Sequence, residues 1–339
     1  MFFIGIVSAF LREIDAHMTK KIILDTDPGI DDAMAILFAE AHPDIELMGI
    51  TTVYGNATID NATHNALYLK QKFGMNAIVA KGADKPLIKA PVGATVVVHG
   101  EEGFGDVKAP SSLNVTAIDK PAYQYIIDSV REQPGEITLV AVGPLTNLAL
   151  ALEADPEIVH LVKEVVVMGG AFGENDHRGN VTPYAEANIH DDPHAADKVF
   201  TASWPVVIIG LDVTEESFFT GQYLDQLRDD AGEVGQFIWD VSRYYLKFYS
   251  EKVGMDGCHV HDPSAIAYVI DPTLFNLRCG AVRVVTDGPA EGMTIQKADQ
   301  RKYMNDEWSV FSAQNVGVGV KNEALLSLYR ESIIRYGTQ

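Results

Sequence analysis

A chain of 339 residues and 37.0 kDa has room for one large α/β domain or two smaller ones. Its hydrophobic content of 47% supplies an ordinary globular core. Its formal net charge of −21 argues against nucleic acid or an anionic membrane as a partner, since either needs a basic face.

Met1 to Phe10 is apolar but about half the length that spans a bilayer. It lacks a positive leader region and runs straight into Arg12, Glu13 and Asp15. Residues 1–17 therefore read as a start-site extension or a loosely attached tail. Residues 18–339 read as a single domain, because no repeat, low-complexity tract or linker divides them. No other run approaches membrane length, so a soluble, cytoplasmic protein is expected. The two cysteines, Cys258 and Cys279, leave no disulfide framework or thiolate metal cluster and read as core thiols in a reducing compartment.

The first element, Ile22-Ile23-Leu24, reads as the end of a buried strand. Pro28-Gly29 is turn chemistry, and Ala33 to Ala39 is a helix apolar on every side, hence interior. Asp25, Asp27, Asp31 and Asp32 thus crowd one strand-to-helix turn. Carboxylates so placed repel one another unless a cation or shared protons offset them. An all-oxygen donor set suits a hard divalent ion, Ca²⁺ or Mg²⁺. A capped turn with solvated carboxylates is the alternative.

Further along, Ile45–Val53 is a strand ending at Tyr54-Gly55-Asn56, followed by a helix from Ile59 to Lys72 and a short strand, Ala77–Ala80. The segment Gly82 to Pro110, which carries His99-Gly100-Glu101-Glu102-Gly103-Phe104-Gly105-Asp106, has the length of a functional loop. Then come a helix (Ala122–Glu132), a strand (Ile137–Val142) broken at Gly143-Pro144, and a helix (Leu145–Glu153). The strand Val165–Met168 ends in Gly169-Gly170, a polar loop runs to Asn188, and Ala195–Phe200 and Val206–Ile209 add a helix and a strand. Beyond residue 213 the pattern turns helical, with Leu224–Asp229, Gly235–Tyr249 and Ser264–Ile270. Strands at Ala281–Val285 and Val316–Val320 flank a less regular segment, and helix Asn322–Tyr336 closes the chain.

This alternation of aliphatic strands with helices predicts an α/β fold: a mostly parallel central sheet with helices on both faces, Rossmann-like, with a helical C-terminal portion. Ligands bind such sheets at the carboxyl ends of the strands. The exits at Asp25–Asp32, at Asn56, at Gly143 and after Met168 all fall on that edge.

Within this frame Asp27 sits in the turn, placed to touch a bound water. The pair His261-Asp262 precedes an apolar helix; with Pro263 next, Asp262 is either a cap or a further oxygen ligand for the ion. Asn180, Glu186 and Asn188 bracket a loop and suit vicinal hydroxyls, unless they are simply solvated. Tyr245 and Tyr249 share a helix face, as core packing or as a lid for a stacked base. Phosphate loops, nucleophile elbows and the HExxH zinc motif are absent from the sequence.

Taken together, DTDPGIDDA at residues 25–33, Gly55-Asn56, the His99-centred HGxxGFGD and Gly143-Pro144-Leu145-Thr146-Asn147, followed by Met168-Gly169-Gly170, Asn180…Ala185-Glu186-Ala187-Asn188 and His261-Asp262-Pro263, resemble the inosine-uridine-preferring nucleoside hydrolases. Those are calcium-dependent N-ribohydrolases. The resemblance runs from residue 20 to about residue 272. It implies hydrolysis of ribonucleosides to free base and ribose, in nucleoside salvage or catabolism, by a Ca²⁺-bound water and an Asp general base. Asp32 and Asp262 would ligate the ion, with Asp27 bridging to it and the main-chain carbonyl of Val142 completing the set. The family usually has Thr at that last position, but only the backbone would bind. Asp27 would be the base. Asp31, Asn56, Asn180, Glu186 and Asn188, with Met168 nearby, would hold the ribose. His261 would act on the leaving base, with His99, Tyr245 and Tyr249 lining its pocket, and Asp25 would be structural. His261 favours the nonspecific or pyrimidine-accepting branches. The resemblance further implies a homo-oligomer, dimer or tetramer.

Two segments depart from the pattern: the loop Gly170 to Asn180, which carries Glu174, Asp176 and His177, and Thr286–Asn315. Neither is expected to touch the chemistry. A non-catalytic nucleoside- or ribose-binding protein and a metal-dependent phosphatase using the DxD are the competing readings.

Overall fold

The computed structural model describes residues 19–304 and 306–338; the extension expected at residues 1–17 lies outside them. Strands β1 (Lys20–Thr26), β2 (Ile45–Thr52), β3 (Ile78–Lys81), β4 (Ile137–Ala141), β5 (Glu164–Met168) and β6 (Val206–Ile209) alternate with helices α1 (Ile30–Ala41), α2 (Ile59–Phe73), α3 (Ala122–Glu132) and α4 (Thr146–Ala154), then α5 (Ala187–Asp191) and α6 (Pro193–Thr201). A single turn, α7 (Leu211–Thr214), and a short ribbon, β7 (Phe218–Phe219) with β8 (Cys258–His259), follow β6. Helices α8 (Gly221–Asp230), α9 (Gly232–Phe248) and α10 (Pro263–Ile270) make the helical portion. The end of the chain adds β9 (Phe275–Val284), β10 (Thr294–Lys297), β11 (Ala313–Val320) and α11 (Asn322–Gly337).

The nine strands lie in the order β10-β9-β11-β6-β5-β4-β1-β2-β3. From β11 to β3 every pairing is parallel; β9 and β10 join antiparallel at one edge. Strand order reverses at β1, which lies between β2 and β4, and a crevice opens there at the carboxyl ends.

Side chains on a strand alternate between faces. Ile22, Leu24, Val140, Val142, Val166 and Met168 pack with α1, α9, α10 and α11, while Ile23, Leu139, Ala141, Val165 and Val167 pack with α3, α4 and α6. Burial on both sides is why the strands read as uninterrupted aliphatic runs. Helix α1 is interior throughout, with every residue from Ile30 to Ala39 buried.

Two sequence expectations need correction. Strand β9 starts six residues before Ala281, because its first half lies on an antiparallel margin where Asn276, Leu277 and Cys279 are exposed. Cys279 is therefore an exposed thiol; only Cys258 is in the core. The Thr286–Asn315 segment is also more ordered than expected, since it contains β10. Among the described residues, no helix is long and apolar enough to cross a membrane.

Candidate active site

The four aspartates of the first turn are all buried, with 1% exposure for Asp25 and Asp27, 4% for Asp31 and 0% for Asp32. Solvated capping is excluded by those values. Asp25, at the end of β1, accepts hydrogen bonds from Thr51 Oγ1 at 2.5 Å and Asn147 Nδ2 at 2.8 Å, tying β1 to β2 and α4. Burial carries its carboxyl up to about 7, with those two donors pulling back.

Asp27 sits between two strand exits. Its Oδ2 accepts from the Asn56 main-chain N–H at 2.6 Å, while its Oδ1 is buried without a hydrogen-bond partner. A Cβ on Gly55 would lie 2.0 Å from Oδ2, and one on Gly143 would lie 2.7 Å from Oδ1. Only glycines leave room for the carboxylate. Burial, then the charge of Asp32, hold Asp27 well above the ordinary carboxyl range.

Asp32, in the first turn of α1, accepts from Thr26 Oγ1, from the N–H groups of Asp27 and Gly29, and from Asn56 Nδ2 at 2.8 Å. Asn56 thus bridges Asp27 and Asp32. Burial and the neighbouring Asp32 raise Asp31 to about 7; the His261 N–H and the Tyr245 hydroxyl pull it back by hydrogen bonding.

A fifth aspartate arrives from far along the chain. Asp262 stands at the N-cap position of α10 with Pro263 at the first helical position, yet its side chain makes no capping hydrogen bond and its backbone is helical (φ −64°, ψ −38°). The cap reading of Asp-Pro is overturned: the carboxylate turns instead to Asp31 and Asp32. Oxygens of Asp31, Asp32 and Asp262 lie within 4.8 Å of one another, all three residues buried. Burial, then Asp31, Asp32 and Asp27, push Asp262 well above its ordinary value.

Asp31 and Asp262 form the floor of a cavity of about 420 Å³, with Asp32 packed against them. Asn56, Val142, Met168, Asn180, Glu186 and Asn188 line one side. Asn188 Nδ2 donates to the carbonyls of Val142 and Met168, both at 3.1 Å. Glu186 caps α5, accepting from Asn188 and Ile189 N–H at 2.8 and 3.1 Å, and also takes the Gly170 N–H at 2.9 Å. Asn180 is exposed at the cavity's edge and accepts from the Ala187 N–H at 3.1 Å.

The lining also holds His99, Tyr245, Tyr249 and His261. His99 Nδ1 accepts from the Ile30 N–H at 3.1 Å, so an imidazole caps α1; burial lowers this ring to about 4. His261 Nδ1 meets Thr214 Oγ1 at 2.9 Å, leaving Nε2 3.4 Å from the Tyr249 hydroxyl. Burial carries His261 down to about 3, so the ring is neutral at ordinary pH. Tyr245 and Tyr249 pack edge to face at 5.1 Å. They are core and lining at once.

Every candidate residue except Asp25, Asp27 and Asp32 lines this cavity; Asp27 and Asp32 bond to the lining residue Asn56, and Asp25 lies deeper, on Thr51 and Asn147. Sequence reading missed Glu215, Phe248, Val253, Met255 and His259, which line it as well. His259 was discoverable, two residues before His261; Glu215 follows the exit of β6. No described residue of the divergent C-terminal segment lines the cavity, but the segment braces a loop that does. Thr294 Oγ1 accepts from Ala171 N at 3.0 Å and donates to Ala171 O at 2.8 Å, and Met293 pairs with Ala185, so β10 braces the loop that carries Asn180 and Glu186.

Comparison with known proteins agrees with this geometry. The family model described as inosine-uridine preferring nucleoside hydrolase matches residues 22–327. The inosine-uridine preferring nucleoside hydrolase of Crithidia fasciculata is 42% identical over 281 residues, covering 82% of this chain and 88% of its own. Probable uridine nucleosidase 1 of Oryza sativa subsp. japonica is 38% identical, covering 93% and 96%. A solved plant nucleoside hydrolase superposes with a TM-score of 0.89 at 37% identity, covering 93% of this chain and 98% of that one. With the carboxylate turn, the strand exits and the His261-Asp262 pair gathered in one cavity, the chain belongs to the inosine-uridine preferring nucleoside hydrolase family.

Proposed function

We propose that this chain hydrolyses the N-glycosidic bond of ribonucleosides to free base and ribose. The observation that carries the reading is one cavity lined both by buried carboxylates and by neutral imidazoles and tyrosines. Its relatives carry the names uridine nucleosidase and inosine-uridine preferring nucleoside hydrolase.

A divalent cation fits the floor. The donors are all oxygen, Asp27 Oδ1 is buried without a partner, and the described cavity lining contains neither lysine nor arginine to neutralise the cluster. Hard, oxygen-rich sites of this kind suit Ca²⁺. Asp31, Asp32 and Asp262, with Asp27 and the Val142 carbonyl, are the groups that would hold it. Bound there, Ca²⁺ would supply the positive charge that keeps these carboxylates ionised, and it would orient water and sugar hydroxyls.

The chain's own residues do the rest. As the bond from water oxygen to C1′ forms and the C1′–N bond breaks, Asp27 Oδ1 takes the water's proton. The base departs with the bonding pair, stabilised by hydrogen bonds at His261 Nε2 and the Tyr249 hydroxyl, and regains one proton on release. Positive charge that develops on the ribose faces the carboxylate floor, where fixed negative groups in a dry site stabilise it. Asn56, Asn180, Glu186 and Asn188 offer donors and acceptors to the ribose hydroxyls.

Incubation with a panel of nucleosides and phosphoesters, with Ca²⁺ and with chelator, tests the proposal. Free base that appears with Ca²⁺ and vanishes on chelation supports it. Binding without turnover, or turnover of phosphoesters alone, overturns it.

A further inference from the structure

The loop after β5 carries a histidine that this chemistry leaves unused. His177 Nδ1 stands 2.5 Å from Glu215 Oε2, and its Nε2 stands 2.9 Å from Glu216 Oε1. Glu215 lines the cavity beside His259 at the end occupied by His261 and Tyr249. Its side chain is 23% exposed, and Oε1 makes no hydrogen bond with the described residues. It directly follows Thr214, the residue that holds His261 Nδ1.

The placement of Glu215 and His259 is rigid. The Val260 N–H donates to the Ser217 carbonyl at 3.0 Å, and the β7–β8 ribbon pairs Phe218 with His259. The Phe218 and His259 rings pack edge to face at 5.4 Å, and His259 Nδ1 is buried without a partner. An acceptor-only carboxylate therefore stands in the cavity lining beside the His259 ring, which hydrogen-bonds to the Glu215 main chain.

We propose that Glu215, positioned by His177, reads the lactam edge of the base: a ring N–H next to a carbonyl, as in uracil or a 6-oxopurine. The proposal rests on the nucleoside hydrolase reading. A carboxylate can only accept, so it pairs with the protonated ring nitrogen of uracil and opposes the bare lone pair of cytosine N3. Discrimination by a paired polar group is strong because the wrong base leaves that group unpaired.

The test compares kcat/KM for uridine, cytidine and 4-nitrophenyl riboside, the last an activated riboside without a lactam edge. The wild type should prefer uridine to cytidine. Glu215→Ala should lower the ratio of uridine to 4-nitrophenyl riboside by about 10- to 100-fold, the range for one hydrogen bond to a charged group. Glu215→Gln, whose amide can donate to cytosine N3, should shift preference towards cytidine. His177→Ala should move the uridine ratio in the same direction by a smaller factor, chiefly through KM. Parallel loss on uridine and on 4-nitrophenyl riboside would mark Glu215 as structural and overturn the proposal, as would an unchanged ratio. If the wild type hydrolyses none of the three, nor inosine, the nucleoside reading itself fails.

Discussion

Replacing Gly55 with alanine isolates the space around Asp27. The new Cβ would stand 2.0 Å from Asp27 Oδ2, 2.9 Å from Cγ and 3.2 Å from Pro144 Cδ. The carboxylate has nowhere to go. Its Oδ2 is held by the Asn56 N–H at 2.6 Å, and on the other side Gly143 already approaches so closely that a Cβ there would be 2.7 Å from Oδ1. Reaching an ordinary contact distance requires a retreat on the order of 1 Å. A misplacement of that size at a reacting group costs about 10²-fold in rate, or about 2.7 kcal/mol of transition-state stabilisation. Gly55 also has φ +152°, where alanine is strained by about 1–3 kcal/mol, so the melting temperature should fall by a few degrees while the protein still folds. Steady-state kinetics with uridine should show kcat down about 10²-fold and KM changed much less. Adding Gly55→Ala to Asp27→Asn should cost little more, because both act on one group. A folded Gly55→Ala variant with kcat within a few-fold of wild type, or full additivity in the double variant, would refute the reasoning.

Asp27→Asn alone should lower kcat by about 10²–10⁴-fold, the range for a general base, while ligand titration still shows riboside binding; near-normal turnover would remove Asp27 from that role. The metal-free protein should lose thermal stability as pH rises. Asp25 and Asp31 are carried from 3.8 to about 7, so the folded state holds their protons more tightly than the unfolded state. Stability is therefore lost as pH climbs from about 4 through about 7, by up to roughly 4 kcal/mol for a group so shifted. Melts in chelator at pH 5.5 and 8 should show the decline, and added Ca²⁺ should stabilise more at pH 8; a flat profile or no effect of Ca²⁺ would contradict the site. Thr294→Val keeps the shape but leaves Ala171 N and O unpaired, a cost of about 1–3 kcal/mol. Its melting temperature should fall and its KM for nucleoside rise as the ribose-side loop loosens, and an unchanged KM would detach β10 from the site.

How much of this was legible follows from burial. Ile22–Leu24, Val165–Met168 and Val206–Ile209 read as strands because both faces of a parallel sheet are covered, and the polar residues at their exits mark the crevice. Strand β10, Thr294–Lys297, was invisible because a four-residue edge strand with only Thr294 buried carries neither an apolar run nor an alternation. The Asp25–Asp32 turn was readable as a charge problem, and burial of every member sharpens it. Asp262 was ambiguous for a different reason. Asp-Pro before a helix has one spelling whether the aspartate caps or turns away, and only the backbone angles separate the two. Glu215 and His259 gave no periodic signal, since a single helical turn ends at the first and a short ribbon carries the second to the cavity.

The carboxylate floor sits at the start of α1, and a helix N-terminus attracts negative charge. The magnitudes show that this is not enough. The helix dipole is worth about 0.3–1 kcal/mol to a nearby charge, and its leading N–H groups are already taken, Gly29 N by Asp32 and Ile30 N by His99. Against that stands roughly 4 kcal/mol to ionise a carboxyl raised as far as Asp31, with Asp27 and Asp262 also raised by their neighbours. No lysine or arginine of the described cavity lining makes up the difference. On the proposed reading a divalent cation would supply the counter-charge from outside the chain. During the proposed reaction the same deficit would favour a ribose that becomes positive as its base departs. One cluster of carboxylates would then both hold an ion and stabilise the transition state.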